Sequence, residues 1–322
     1  MQKYDLDMST SSQNNRYVWF GEKIVATDKA LISAISPSAR YGLSVFEGIR
    51  GYLTEDSKGL NIYRLEDHIS RLFESAERIS IPIPLKQTEI VDAVIRTIKA
   101  NEVTNDCYIR VDILSTQIGS WHSQEPGLMT ITVIDSVKEA NLQSRTLSAA
   151  ISTWKRIDES QMPPSVKTGA NYINSRYGYL EVKSAGYDVP IFLNLKGDVS
   201  ESSGACIMAV IEGRLVTPPT TAQILNSITR DTLLNLAIEL EIDSVERDIN
   251  PLELKSATEI FLCGTAVELA PILKIDGKIV GFGSPGSTSK ILFENYLKEV
   301  RSIVGGCRFG KSTFMKFLGS ES

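Results

Sequence analysis

Residues 166–175 read Val-Lys-Thr-Gly-Ala-Asn-Tyr-Ile-Asn-Ser. One lysine, Lys167, stands beside a small flexible turn, and a helix should begin at about Asn171. An amine that attacks a carbonyl carbon must lose its proton, so it needs a partly desolvated setting and a backbone that presses it against its target. A surface lysine ahead of a helix fits the same ten residues. The surrounding motifs must decide between the two readings.

Toward the C-terminus, Asp198-Val-Ser-Glu201-Ser-Ser-Gly204 follows a strand and offers one carboxylate, Glu201, at a turn. A carboxylate facing a pyridine nitrogen keeps that nitrogen protonated and makes the ring an electron sink. Leu225-Asn-Ser-Ile228-Thr229-Arg-Asp231 opens a strong helix, whose first amides and dipole can hold a phosphate, or whose Ser227 can simply cap it. Cys263-Gly-Thr265-Ala266 leaves a strand through a glycine, where a backbone nest can bind an anion. Toward the N-terminus, Tyr41-Gly-Leu-Ser-Val-Phe46-Glu47-Gly48-Ile-Arg50 mixes aromatics, glycines and an arginine. In Tyr108-Ile-Arg110, strand alternation points Tyr108 and Arg110 to the same face.

The chain has 322 residues, enough for two domains, and its 42% hydrophobic and 23% charged content is that of an ordinary globular protein. A net charge of -5 gives no electrostatic reason to expect nucleic acid or anionic lipid. No stretch approaches the ~20 apolar residues of a membrane span. Residues 1–16 are polar, lack the apolar core of a signal peptide, and read as a loose tail. The cysteines at 107, 206, 263 and 307 form no CxxC pair, and His68 and His122 are far apart, so no metal site is expected. Scattered thiols suit a reducing, cytoplasmic compartment.

The pattern predicts a hairpin over 17–26 turning at Gly21-Glu22. Helices are expected over about 66–81, 88–100, 171–185, 228–240 and 289–303. Strands are expected at 61–64, 107–114, 129–134, 148–154, 190–194, 205–211 and 259–263. The first helix is expected to stop at Pro82 and Pro84, and Asp276-Gly277 signals a hairpin.

In this order and spacing the motifs resemble the fold-type IV aminotransferases that use pyridoxal 5'-phosphate, most closely the branched-chain amino-acid aminotransferases. The resemblance runs from about Tyr17 to Val304. It implies an α+β fold of two domains. Residues 1–145 would form the smaller α+β domain, and 146–322 a larger one with a β-barrel-like core, with the cofactor between them.

The resemblance also implies roles. Lys167 is the expected Schiff-base lysine and proton carrier. Glu201 is expected at the pyridine nitrogen and Tyr172 at the phenolic oxygen. Arg71, in His68-Ile-Ser-Arg71-Leu72, is expected at the phosphate with Ile228, Thr229 and Thr265. Ala266 is expected to offer its N–H to the substrate carboxylate. Tyr41, Phe46, Gly48, Tyr108 and Arg110 are expected around the substrate, with Arg110 pairing the distal carboxylate of glutamate or 2-oxoglutarate. The partners would be an L-amino acid and a 2-oxo acid, and the assembly a homodimer or larger.

The chain departs from the family in two motifs. Ser202-Ser-Gly-Ala-Cys206 stands where Gly-x-Gly-Glu-Asn is common, and Asn226-Ser-Ile-Thr-Arg230 where Pro-Gly-Ile-Thr-Arg is usual. The segment 116–141 is also short and lacks a Gly-x-Tyr-Leu-Gly stretch. These departures leave room for a D-amino-acid aminotransferase or an aminodeoxychorismate lyase of the same fold, or for a catalytically silent relative. Gly305-Gly-Cys-Arg-Phe-Gly310-Lys311-Ser312 fits a nucleotide phosphate-loop pattern, but it lacks the strand before it and the room for a βα unit after it, and reads as a basic tail.

Overall fold

The computed structural model describes residues 16–136, 141–302 and 308–317. The expected polar tail therefore lies almost wholly outside the described residues. By packing, the chain forms two compact units. One holds 16–136, 166–170, 299–302 and 308–317; the other holds 141–165 and 171–298.

The strands in chain order are β1 (Tyr17–Phe20), β2 (Lys23–Ala26), β3 (Ser44–Leu53), β4 (Gly59–Ile62), β5 (Cys107–Leu114), β6 (Leu128–Asp135), β7 (Leu147–Lys155), β8 (Val189–Leu193), β9 (Cys206–Ile211), β10 (Arg214–Thr217), β11 (Ser244–Glu246), β12 (Glu259–Gly264), β13 (Glu268–Ile275), β14 (Lys278–Ile279) and β15 (Thr313–Lys316). The helices are α1 (Pro37–Tyr41), α2 (Leu65–Arg78), α3 (Gln87–Ala100), α4 (Tyr172–Ser184), α5 (Ile228–Glu239), α6 (Pro251–Leu254) and α7 (Ser287–Val300).

In the first unit the sheet order is β15-β4-β3-β5-β6-β1-β2. Strand β3 lies inside this sheet and is buried along nearly its whole length. Val45 and Ile49 of β3 join Ile109, Val111 and Ile113 of β5 in one apolar core with helices α2 and α3. In α2 the residues Leu65, His68, Ile69, Leu72, Ser75 and Ala76 are buried, one stripe at helical spacing. The helix stops at Arg78, before Pro82 and Pro84, because Ser80 takes a left-handed φ of 55° and Ile81 N donates back to Ala76 O at 2.9 Å.

Two segments from beyond residue 145 complete this unit, so a single cut at 145/146 does not describe it. Strand β4 pairs only with residues 51–53 of β3. The start of β3 takes residues 166–168 instead, through a bridge from Val45 to Thr168. Strand β15 pairs with β4, extending the sheet where a tail was expected. Just before it, Ser312 Oγ accepts Arg64 N at 2.8 Å and Lys311 O accepts Glu66 N at 3.2 Å, which satisfies amides at the start of α2. Residues 305–307 of the phosphate-loop pattern lie outside the described residues. The pattern runs into strand β15, not into the helix that such a loop requires.

The second unit carries an eight-stranded sheet with the path β11-β10-β9-β12-β13-β7-β8 and β14 added on β13. Its core draws on Leu147, Ile191, Ile207, Val216, Leu262 and Ile272. The expected hairpin at Asp276-Gly277 joins β13 to β14, with Gly277 at φ 82°. Cys107, Cys206 and Cys263 are buried free thiols; burial pushes Cys107 up to about 12 and Cys263 well above its ordinary value.

Among the described residues no helix is long and apolar enough to cross a membrane, and no group of three or more His, Cys, Asp or Glu is placed to hold a metal ion.

Candidate active site

Lys167 is fixed by its own backbone. Its carbonyl accepts Phe46 N at 3.0 Å, its N–H donates to Ser75 Oγ of α2 at 3.1 Å, and the next residue's Thr168 Oγ1 donates to Ser44 O at 2.7 Å. The segment behaves as a short added strand on β3. Gly169 lets it come this close, since a Cβ there would meet Ser44 Oγ at 2.8 Å. Lys167 Nζ lies 4.9 Å from the centre of the Phe46 ring.

The register of β3 on β5 explains what else faces that ring. Phe46 is paired with Asp112, Gly48 with Arg110 and Arg50 with Tyr108, so these six residues share one face. Tyr108 leans along the sheet across Gly48, and a Cβ on Gly48 would lie 1.9 Å from its hydroxyl. The Arg110 guanidinium stacks 3.7 Å from the Phe46 ring centre and is held by Asp112, from Nε to Oδ1 at 2.9 Å. Burial raises the Asp112 carboxyl above its ordinary value, and Arg110 offsets this in part. Arg50 is buried and bonded to Ser136 O at 3.0 Å and Ser136 Oγ at 3.1 Å. Tyr41 ends α1, is exposed, and carries Arg40 over its ring at 5.3 Å.

Arg71 lies on α2 between His68 and Ser75 and is paired with Glu47. Its Nε donates to Oε1 at 2.7 Å and its Nη2 to Oε2 at 2.8 Å. His68 Nδ1 is 2.7 Å from the same Oε2. Burial alone would push the Glu47 carboxyl up, but the Arg71 charge and the bonds from Arg71 and His68 hold it far below the usual carboxylate range. Burial also lowers the pKa of His68, helped by the charges of Arg71 and Lys167 and opposed by Glu47. An ionised Glu47 can only accept, so His68 donates its Nδ1 proton.

In the second unit, Glu201 is buried and its Oε1 meets Arg156 Nη2 at 2.7 Å. Its Oε2 accepts Leu225 N at 3.3 Å, with Cys206 Sγ at 4.0 Å. Arg156 Nη1 also reaches Asn174 Oδ1 at 3.2 Å and Ser175 Oγ at 3.3 Å in the first turn of α4, which begins at Tyr172. Gly204 approaches Tyr172, whose Cε1 would be 3.9 Å from a Cβ on that glycine. A Cβ on Gly264 would be 3.5 Å from Gly204 O, which brings the Thr265-Ala266 turn beside this loop. Ile228 and Thr229 are the first two residues of α5, both buried. Ser227 caps the helix by accepting Arg230 N at 3.2 Å.

The structure thus gathers Lys167, Phe46, Gly48, Tyr108, Arg110 and Arg71 within one unit. It gathers Tyr172, Glu201, Ile228, Thr229, Thr265 and Ala266 within the other. Sequence reasoning did not single out Glu47 and His68, which pair with each other and with Arg71 through Glu47, or Arg156, which pairs with Glu201. Glu47 had one legible signal, a charge at an inward position between Val45 and Ile49. Arg156 had none: it follows Lys155 just past the end of β7, as an ordinary basic pair leaving a strand would.

A family model for class IV amino-transferases matches residues 44–275. The chain belongs to the class IV aminotransferases and is an aminotransferase. Among its relatives is the branched-chain-amino-acid aminotransferase of Salmonella typhimurium, 33% identical over 85% of this chain and 89% of that one. The crystal structure of the Thermobaculum terrenum branched-chain amino acid aminotransferase in its PLP form superposes with a TM-score of 0.86 at 34% identity, covering 94% of this chain and 99% of that one. The branched-chain aminotransferase of the thermophilic archaeon Thermoproteus uzoniensis, crystallised with norvaline, gives 0.84 at 34% identity, covering 89% of this chain and 95% of that one.

Proposed function

We propose that this aminotransferase uses pyridoxal 5'-phosphate and moves the amino group of a branched-chain L-amino acid to a 2-oxo acid, with glutamate and 2-oxoglutarate as one of its substrate pairs. The observation that carries the reading is the Lys167 amine held against Phe46 on the face lined by Gly48, Tyr108 and Arg110. A nucleophilic lysine needs this combination of fixed backbone and apolar wall.

The residues present fit the cofactor. Arg156 Nε is a buried donor with no partner among the described residues, and it belongs to the side chain that holds Glu201. A polar ligand with an acceptor would satisfy it. When bound, pyridoxal phosphate supplies an electron sink for negative charge at the substrate Cα.

The protein's part is to bind, orient and move protons. Lys167 Nζ would take the proton from the substrate Cα and deliver it to the C4′ carbon of the cofactor. Glu201, paired with Arg156, would be the partner for the pyridine nitrogen, and Tyr172 for the phenolic oxygen. Arg71 would be the phosphate ligand of the first unit, and the first amides of α5 and Thr265 the phosphate donors of the second. The Ala266 N–H receives the substrate carboxylate. Phe46, Tyr41 and Tyr108 wall an apolar side chain, and Arg110 pairs a distal carboxylate.

Homodimerisation belongs to the same proposal. The exposed Trp154 and Tyr177 rings, stacked at 4.6 Å, supply an apolar patch for it.

Single-turnover spectra of the cofactor-loaded enzyme with separate amino acids test the substrate class. Conversion by L-leucine, L-valine and L-glutamate supports the reading. Conversion by D-alanine alone contradicts it.

A further inference from the structure

We propose that Glu47 is a positioning residue of the phosphate site, locking the Arg71 guanidinium in the single orientation in which it meets the cofactor phosphate. The inference rests on the reading of Arg71 as a phosphate ligand.

Glu47 is 1% exposed and sits on the core face of β3, opposite Val111 and flanked by Val45 and Ile49. A carboxylate there is costly unless its bonds are satisfied. Three bonds satisfy it, all from α2. Two come from Arg71 as a parallel fork at 2.7 and 2.8 Å, and the third from His68 at 2.7 Å. A side-on fork fixes the plane of the guanidinium as well as its position, and it turns Nη1 away from the carboxylate. A lone counter-ion needs neither of these.

The strand also links this anchor to the reactive lysine. Phe46 N donates to Lys167 O, and the very next residue, Glu47, holds Arg71. Helix α2 repeats the link, because Ser75 accepts Lys167 N while His68 and Arg71, on the same helical face, bind Glu47. One strand and one helix thus set the spacing between the covalent anchor and the phosphate anchor. That spacing must match a rigid ligand, and small errors in such placement cost rate and affinity.

A substitution at Glu47 has two opposed effects. Removing the negative charge favours an incoming phosphate through space, while losing the fork frees Arg71 to wander. Glu47→Gln separates them. An amide offers one acceptor oxygen, so whichever way it is turned, one of the two Arg71 bonds meets an N–H instead. Arg71→Lys keeps the positive charge and abolishes the fork.

The test is a double-mutant cycle on the full-length enzyme with Glu47→Gln, Arg71→Lys and the pair. The readouts are the Kd for pyridoxal 5'-phosphate by absorption titration and the protection of the apoenzyme against heat by inorganic phosphate. With Arg71 in place, Glu47→Gln should raise the Kd about tenfold, the worth of one charged hydrogen bond. In the Arg71→Lys background it should not raise it. Equal increases in both backgrounds, or no increase in either, overturn the proposal. If Arg71→Lys leaves cofactor and phosphate binding intact, the phosphate role of Arg71 falls and this inference with it. If Arg71→Lys weakens binding and Glu47→Gln does not, only this inference falls. Should Glu47→Gln fail to fold, Glu47→Asp serves. It keeps the charge but is one methylene too short for the fork, and it should show the same loss confined to the Arg71 background.

Discussion

The Tyr108 hydroxyl lies across Gly48, so close that a Cβ on that glycine would be 1.9 Å away. The contact is made between adjacent strands on the face that also carries Phe46 and Arg110. It explains why the position holds the one residue without a side chain, and it makes Tyr108 a wall set by its neighbour.

Gly48→Ala should therefore displace Tyr108 rather than unfold the sheet. We expect kcat/KM for L-leucine to fall on the order of 10²-fold, the scale of an ångström-sized misplacement, with only a small shift in Tm. Steady-state kinetics beside a melting curve check this. Unchanged kinetics would show that Tyr108 plays no part in the pocket.

Arg110 should separate acidic from apolar substrates. Arg110→Leu removes the cation but keeps bulk against Phe46. The half-reaction with L-glutamate should lose about 1.5–3 kcal/mol, the worth of a charged hydrogen bond, while that with L-leucine changes far less. Equal losses for both amino acids would mean that Arg110 holds the pocket's shape and does not read a carboxylate.

Arg156→Met strands Glu201 as a buried charge without its 2.7 Å partner. Breaking such a pair costs roughly 3–5 kcal/mol, and replacing both partners costs much less. Urea unfolding should show a large loss for Arg156→Met and a partial recovery for Arg156→Met with Glu201→Gln. Additive losses would contradict the pairing.

Acid should destabilise the unit around β3 in two stages. His68 has a lowered pKa in the folded state, so the unfolded chain takes up its proton first, and stability falls as pH drops below about 6.5. Glu47 is also lowered, so its contribution is complete above about 4.3 and is lost as pH falls further. Glu47→Gln should flatten the second stage in unfolding measured against pH, and His68→Gln the first.

Much of this was legible in the sequence, for reasons that particular residues show. Lys167, Glu201 and the α5 start each sit in a motif that the proposed chemistry would call for. Hairpins announced themselves at Gly21 and Gly277, where the turn needs a positive φ. What stayed hidden depends on pairing between distant segments. Nothing near Glu47 says that its partners stand on a helix some twenty residues on. Nothing near residues 313–316 says that the short stretch after a basic segment will find an open strand edge at β4. Residues 166–168 joined the first unit for the same reason, since β4 left the start of β3 uncovered.

The most direct test of the central claim is to trap the cofactor on the protein. The enzyme is loaded with pyridoxal 5'-phosphate, reduced with borohydride, digested and mapped by mass spectrometry. The account predicts one added cofactor mass, on the peptide that contains Lys167, and none in a folded Lys167→Ala variant. A label on another lysine, or no label on the native chain, would contradict it.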